Sequence, residues 1–206
     1  MRTWTTAILL VLILVFSAAL RLRGIGYGLP CTYSRPDEDR LLAVAARFTP
    51  ADLNPRYFIW PSLCFYLARG GLEAVETLRA RLSGVARTPV ASALAADPAP
   101  FYLIFRLLFC GIGLLTVLAL YRLGKGLFSP VSGLLAALFL GASFLHGRDS
   151  RFAMLDIPAA FFVIASVGRS WAVLRRGRRS DYLWCGLLCG LALAPVMGAI
   201  GFPSEL

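Results

Sequence analysis

"FRLLFCGIGLLTVLALYRLGKGLFSPVSGLLAALFLGASFLHGRDSRFAMLDIPAAFF", residues 105–162, decides the fold. Apolar residues fill it in long runs, and all the charged residues but Arg106 gather in two short connections, 121–130 and 146–156. A helix needs roughly 18 mostly apolar residues to cross a bilayer. Inside lipid each backbone N–H and C=O must be satisfied within the segment, so such runs fold as helices. Pro130 stands where the second run begins, and a first-turn proline loses no helical hydrogen bond.

Working outward, the same reading marks spans at about 5–20, 101–122, 130–146, 153–173 and 182–201. The whole chain agrees: 58% of its residues are hydrophobic, against about 45–50% in soluble domains, and mean hydropathy is +0.72. The expected fold class is all-α, a polytopic transmembrane bundle of about five spans forming one domain over 1–206. Small residues Ser17, Ala18 and Ala19 end the first run and allow a signal-peptide reading. The further spans favour an uncleaved first helix.

The connections orient the bundle. "YRLGKGLFSP" (121–130) and "LRRGRRSD" (174–181) are basic and separated by two spans, so they face one side, which the positive-inside rule makes cytoplasmic. With Arg2 inside, residues 21–100 become a large extracytoplasmic loop. Its "YFIWPSLCFYLARGGLEAVETL" (57–78) is apolar for only about a dozen residues, too few to cross, so it is expected to lie along the membrane surface.

The net charge of +10 is carried by arginine; Lys125 is the sole lysine. On a membrane chain this charge points to anionic headgroups, not nucleic acid. Arginine also grips phosphate bidentately, which admits a lipid-phosphate ligand. Cys185 and Cys189 share a helical face without the further ligands of a zinc site, and packing explains them.

Two charged clusters fall on the outer side. In "SRPDEDRL" (34–41), Asp37, Glu38 and Asp39 open an expected helix, where the dipole favours acids. Loop solvation is enough to explain Asp39. In "HGRDSRFAMLD" (146–156), Asp156 has apolar neighbours and Pro158 after it. Ionisable groups at membrane depth are costly and usually functional. A helix N-cap is the compatible structural reading of Asp156. His146, the only histidine, excludes a multi-histidine metal site and reads as a helix-end polar contact.

The order of first helix, "PDE", "FIWPSLCFYL" and the stretch quoted at the outset resembles the GT-C membrane glycosyltransferases, in particular the protein mannosyltransferase and aminoarabinose transferase-like group. The resemblance runs from about residue 7 to 190. It implies transfer of a sugar from a lipid-linked, polyprenyl-phosphate donor to an acceptor hydroxyl on a glycan, lipid or protein, at the outer face of the membrane. The arginine-over-lysine, Ala/Gly-rich usage points to a bacterial plasma membrane. It implies catalytic roles for Asp37, Glu38 and Asp156. Residues 57–82 take the place of the family's juxtamembrane helices. Arg148, Arg151 and His146 are candidates to hold the donor phosphate, since charge grows there as the glycosidic bond breaks. A divalent cation on the carboxylates is conceivable, but no complete ligand set is visible. The family continues through more spans, so the chain reads as the N-terminal part of such a module. The alternative functions are a non-catalytic membrane subunit or inactive fragment that binds lipid or a partner, and, third, a small transporter using Asp156.

Overall fold

The computed structural model describes residues 3–29, 31, 36–49, 51–57, 60 and 62–193. The readings placed on Arg2, Pro61 and the chain from 194 onward lie outside them. The described residues form helices α1 (Thr3–Leu22), α2 (Pro36–Ala46), α3 (Ser62–Ser83), α4 (Val90–Ala96), α5 (Ala99–Leu127), α6 (Pro130–Ala142), α7 (Phe144–Arg151), α8 (Asp156–Arg176) and α9 (Arg179–Leu193). Their only strand-like pairing is a bridge between Thr49 and Asp52. The chain is an all-α membrane bundle, as its sequence led us to expect.

Trp4–Leu22, Ala99–Leu127 and Asp156–Arg176 are each long and apolar enough to span, and α6 with α7, bent by 59°, is apolar enough as a pair to form a broken span or a re-entrant loop. The stretch expected as one straight span over 130–146 is therefore interrupted. The cause is Ser143, whose backbone leaves the helical region (φ −59°, ψ 122°). The same residue's hydroxyl then accepts from His146 N at 3.5 Å and restarts the helix as α7. Helix α9 covers the first part of the expected span at 182–201; the rest lies beyond the described residues.

The described residues divide into two compact units, 3–25 with 107–193, and 26–106. The first holds α1, most of α5, and α6 to α9. Val117 and Tyr121 of α5 bury against Leu134 and Ala137 of α6, and Ile13 and Leu14 of α1 cover them. Helices α5 and α6 meet almost backbone to backbone: a Cβ on Gly124 would stand 2.9 Å from the Gly133 Cα. Small residues permit this approach, and van der Waals packing rewards it where lipid offers no hydrophobic drive. Val11, Leu12, Val15 and Phe16 stay exposed on α1, as a lipid-facing stripe should. Gly177, in the left-handed region at φ +60°, ends α8 and lets α9 fold back on it.

The second unit holds α2, α3, α4 and the start of α5. Leu41, Leu42 and Ala45 form the buried stripe of α2, and Phe65, Ala68, Leu72 and Val75 that of α3, both at helical spacing. Phe105 packs so closely on Gly71 that a Cβ there would come within 2.7 Å of its ring. Helix α3 is long enough to cross a membrane but too polar to do so. Its polar side is tied to the segment after it. Both oxygens of the buried Glu76 are used, with Arg79 Nε donating at 2.7 Å and the Thr88 backbone N–H at 3.0 Å. Arg69 and Arg87 both pair with Glu73.

The Arg79 hydrogen bond, then the Thr88 N–H, hold the Glu76 carboxyl down to about 2 from an ordinary 4.5. A depressed carboxyl stabilises the fold fully above its unfolded pKa and loses that contribution as pH falls through the folded one. This unit should therefore weaken between about pH 4.5 and about pH 2. Thermal melts across that window should show a steeper loss for the parent than for Glu76→Gln; parallel curves would assign the acid sensitivity elsewhere.

Candidate functional site

The acidic stretch opens α2, and its three carboxylates meet different fates because successive helical residues point about 100° apart. Glu38 turns inward and is 1% exposed. Arg106 grips it with a planar fork, Nε to Oε1 at 2.9 Å and Nη2 to Oε2 at 2.7 Å. The same guanidinium donates from Nη1 to the Tyr27 carbonyl at 2.9 Å. Asp39 accepts from the Tyr102 hydroxyl at 2.6 Å. Asp37 is exposed. Arg40 beside it has its guanidinium pKa raised, chiefly by its hydrogen bond to the Tyr57 hydroxyl, with smaller contributions from Asp37 and Asp39.

The second cluster is built on α7 in the other unit. His146, Asp149 and Ser150 are buried there. The cluster's centre is Arg21 near the end of α1, which is 0% exposed. Its Nη1 donates to the carbonyls of Ser17 at 3.0 Å and Gly141 at 3.1 Å, and also to the Ser17 hydroxyl. Its Nη2 lies 2.6 Å from His146 Nδ1. A guanidinium can only donate. His146 Nδ1 therefore accepts, and in the neutral ring the hydrogen sits on Nε2.

Arg151 donates from Nη1 to the Arg23 carbonyl at 2.6 Å, and Arg148 pairs through Nε with Asp149 at 2.8 Å. The thiol of Cys110 faces the carbonyls of Ser150 at 3.5 Å and Arg21 at 3.9 Å. Gly113 makes room for all this: a Cβ there would stand 3.0 Å from Ser150 Cβ and 3.2 Å from Arg21 Nε. Three buried nitrogens in this neighbourhood, Arg21 Nε, His146 Nε2 and Arg151 Nε, have no hydrogen-bond partner among the described residues. Buried polar atoms are nearly always paired, so a water or a ligand is expected to complete such a group.

The structure thus gathers His146, Arg148 and Arg151 on one short helix. Asp156 follows as the first residue of α8 and is exposed. It is not the N-cap: that position is Leu155, which offers no side-chain acceptor. The carboxylate instead sits in the first turn, where the helix dipole favours it. Asp37 and Glu38 belong to the other unit. No three His, Cys, Asp or Glu side chains among the described residues gather as a metal site. Sequence reasoning missed Arg21, Arg106 and Gly113. Arg106 had a signal, a lone charge inside "FYLIFRLLF".

Residues 102–200, which include α7, match the family described as dolichyl-phosphate-mannose-protein mannosyltransferase. That stretch is GT-C-like. Comparison with curated proteins and with solved structures found no match. At the coarse level the family match supports a membrane-embedded, mannosyltransferase-like glycosyltransferase with a lipid-linked sugar donor.

Removing one partner of a buried ion pair costs about 3–5 kcal/mol, whereas replacing both by apolar groups is often close to neutral. Glu38→Gln should therefore destabilise the chain by about that amount, and Glu38→Leu with Arg106→Met should recover much of it. Denaturant unfolding in detergent measures both. An unchanged midpoint for Glu38→Gln would mean that the pair does not hold α2.

Proposed function

We propose that this chain carries the donor-binding part of a glycosyltransferase that moves a sugar from a polyprenyl-phosphate carrier to an acceptor hydroxyl at the extracytoplasmic face of a bacterial plasma membrane. The observation that carries the reading is the set of unpartnered buried nitrogens on Arg21, His146 and Arg151, within or against the stretch that matches the family. Cationic and neutral N–H donors fixed in a water-poor site suit a phosphate whose charge grows during reaction. Arg148 and Arg151 are assigned to that phosphate, with the His146 Nε2–H as a further donor.

In the reaction, the bond from the anomeric carbon to the carrier phosphate oxygen breaks and its electron pair leaves with the phosphate. The acceptor oxygen forms the new bond to that carbon, and its proton passes to a carboxylate. A single displacement of this kind inverts the anomeric centre. We assign the proton to Asp37, the exposed carboxylate of the α2 start. Glu38 is its neighbour, held by Arg106 so that the first turn of α2 keeps its place. Asp156 is assigned to orienting sugar or acceptor hydroxyls. A lipid-binding subunit without turnover is the second reading, and what favours it is that both Glu38 oxygens are already occupied by Arg106.

Two measurements separate these readings. Asp37→Asn should cut transfer from a polyprenyl-phosphate sugar by at least about 100-fold, the low end of a general-base effect, and leave carrier binding intact. Arg151→Ala should weaken carrier binding by about 1.5–3 kcal/mol, as lost charge-assisted hydrogen bonds do. Parental turnover in Asp37→Asn would remove the base assignment. Parental binding in Arg151→Ala would remove the phosphate assignment.

The face is tested separately. In a cysteine-free background, a cysteine at Ala86 should react with an impermeant thiol reagent in intact cells, and one at Ser180 should not. The reverse pattern would put the chemistry inside.

A further inference from the structure

A groove of about 920 Å³ runs between α5, α8 and α9, within the first unit and away from α7. Leu115, Phe161 and Ile164 are among its apolar walls, and Arg122, Arg175 and Arg176 line it at the C-terminal ends of α5 and α8. The volume falls in the range of about 300–1,000 Å³ typical of small-molecule sites. Two tryptophans at the same end carry arginines over their rings, Arg175 at 5.1 Å from Trp171 and Arg169 at 5.9 Å from Trp184. Trp171 Nε1 is also buried without a partner among the described residues.

Charge narrows the occupant. Asp181 is the acid beside this groove, and it faces Arg169 at 3.6 Å. No carboxylate among the described residues pairs with Arg122, Arg175 or Arg176. The groove therefore offers apolar walls along the spans and uncompensated cations with tryptophans at one end. That is the profile of an amphiphile with an anionic head, since tryptophan and arginine both settle at headgroup level.

Position narrows it further. Helix α8 runs 21 residues from Asp156 to Arg176. At 1.5 Å per residue, Arg175 and Arg176 lie about 30 Å along the helix from its α7 end. That is about the thickness of the hydrocarbon core, so these arginines and the α7 cluster serve opposite leaflets. A donor phosphate held at α7 is a different ligand from one held here.

We propose that this groove binds an anionic phospholipid of the leaflet opposite to the α7 cluster, its phosphate on Arg122, Arg175 and Arg176 and an acyl chain along the apolar wall. The site does not depend on the glycosyltransferase reading.

The full chain carrying Trp4→Phe and Trp60→Phe keeps tryptophan only at 171 and 184, both in the groove. In detergent micelles, brominated phosphatidylglycerol should quench this fluorescence at far lower mole fraction than brominated phosphatidylcholine. The combination R122Q, R175Q and R176Q should lower the apparent affinity for phosphatidylglycerol at least about tenfold, a conservative figure against roughly fivefold per arginine at an anionic surface. R56Q, an exposed charge elsewhere, should change nothing. High salt should release phosphatidylglycerol from the parent, an arm that needs no arginine substitution. Equal quenching by both lipids, or no effect of the triple substitution, overturns the proposal. Displacement of phosphatidylglycerol by an equal amount of polyprenyl phosphate also overturns it and assigns the groove to the carrier. Loss of a dimer in the triple variant, with no lipid preference in the parent, overturns it in favour of a second copy of the chain.

Discussion

Arg21 is the contact on which the membrane unit depends. A cation buried between spanning helices is costly unless its donors find acceptors. Here the two terminal nitrogens find them at the defect that the fold itself creates. The break at Ser143 ends α6 inside the bundle and leaves its last carbonyls without helical partners. One of these, Gly141, receives Arg21 Nη1. The negative end of the α6 dipole meets the guanidinium, and the guanidinium's other arm fixes the His146 ring on α7. One side chain on α1 thus stabilises the bend and sets the face that α7 presents.

The bend in turn requires close approach, and small residues supply it. Ser17 lies under Gly141, where a Cβ would come within 3.3 Å of the serine. Gly113 does the same for Ser150 and Arg21, and Gly124 with Gly133 brings α5 against α6. Larger residues at these positions would separate the helices and lengthen every hydrogen bond of the cluster. In lipid no hydrophobic gain from burial would offset that loss.

The spans were legible because lipid imposes one rule on backbone and composition together: long apolar runs must be helices. The start of α2 was legible from its acids, and α7 from the polar residues of "HGRDSR". The break at Ser143 was not, because apolar periodicity continues through it and a single serine dihedral causes it. Arg21 was not, because an arginine at the end of a first span reads as an interfacial flank; only the coordinates reveal that it points inward. The role of Glu38 was hidden for a related reason. Its partner Arg106 lies 68 positions away, and three adjacent acids look equivalent in sequence. Helical rotation alone sends one to the interior and leaves Asp37 outside.

Arg106 and Arg21 pose the same problem and solve it differently. Arg106 has the Glu38 carboxylate, so that pair is neutral and its role is complete within the fold. Arg21 has only carbonyls, a hydroxyl and an imidazole. Around it, Asp149 is the one carboxylate set against Arg21, Arg148 and Arg151, and it is already bound to Arg148. Of these three cations only Arg21 is fully buried, while the Arg148 side chain keeps 39% of its surface exposed. The Glu38–Arg106 pair is thus neutralised inside the fold, whereas the buried guanidinium of Arg21 rests on carbonyls, a hydroxyl and an imidazole at the break between α6 and α7.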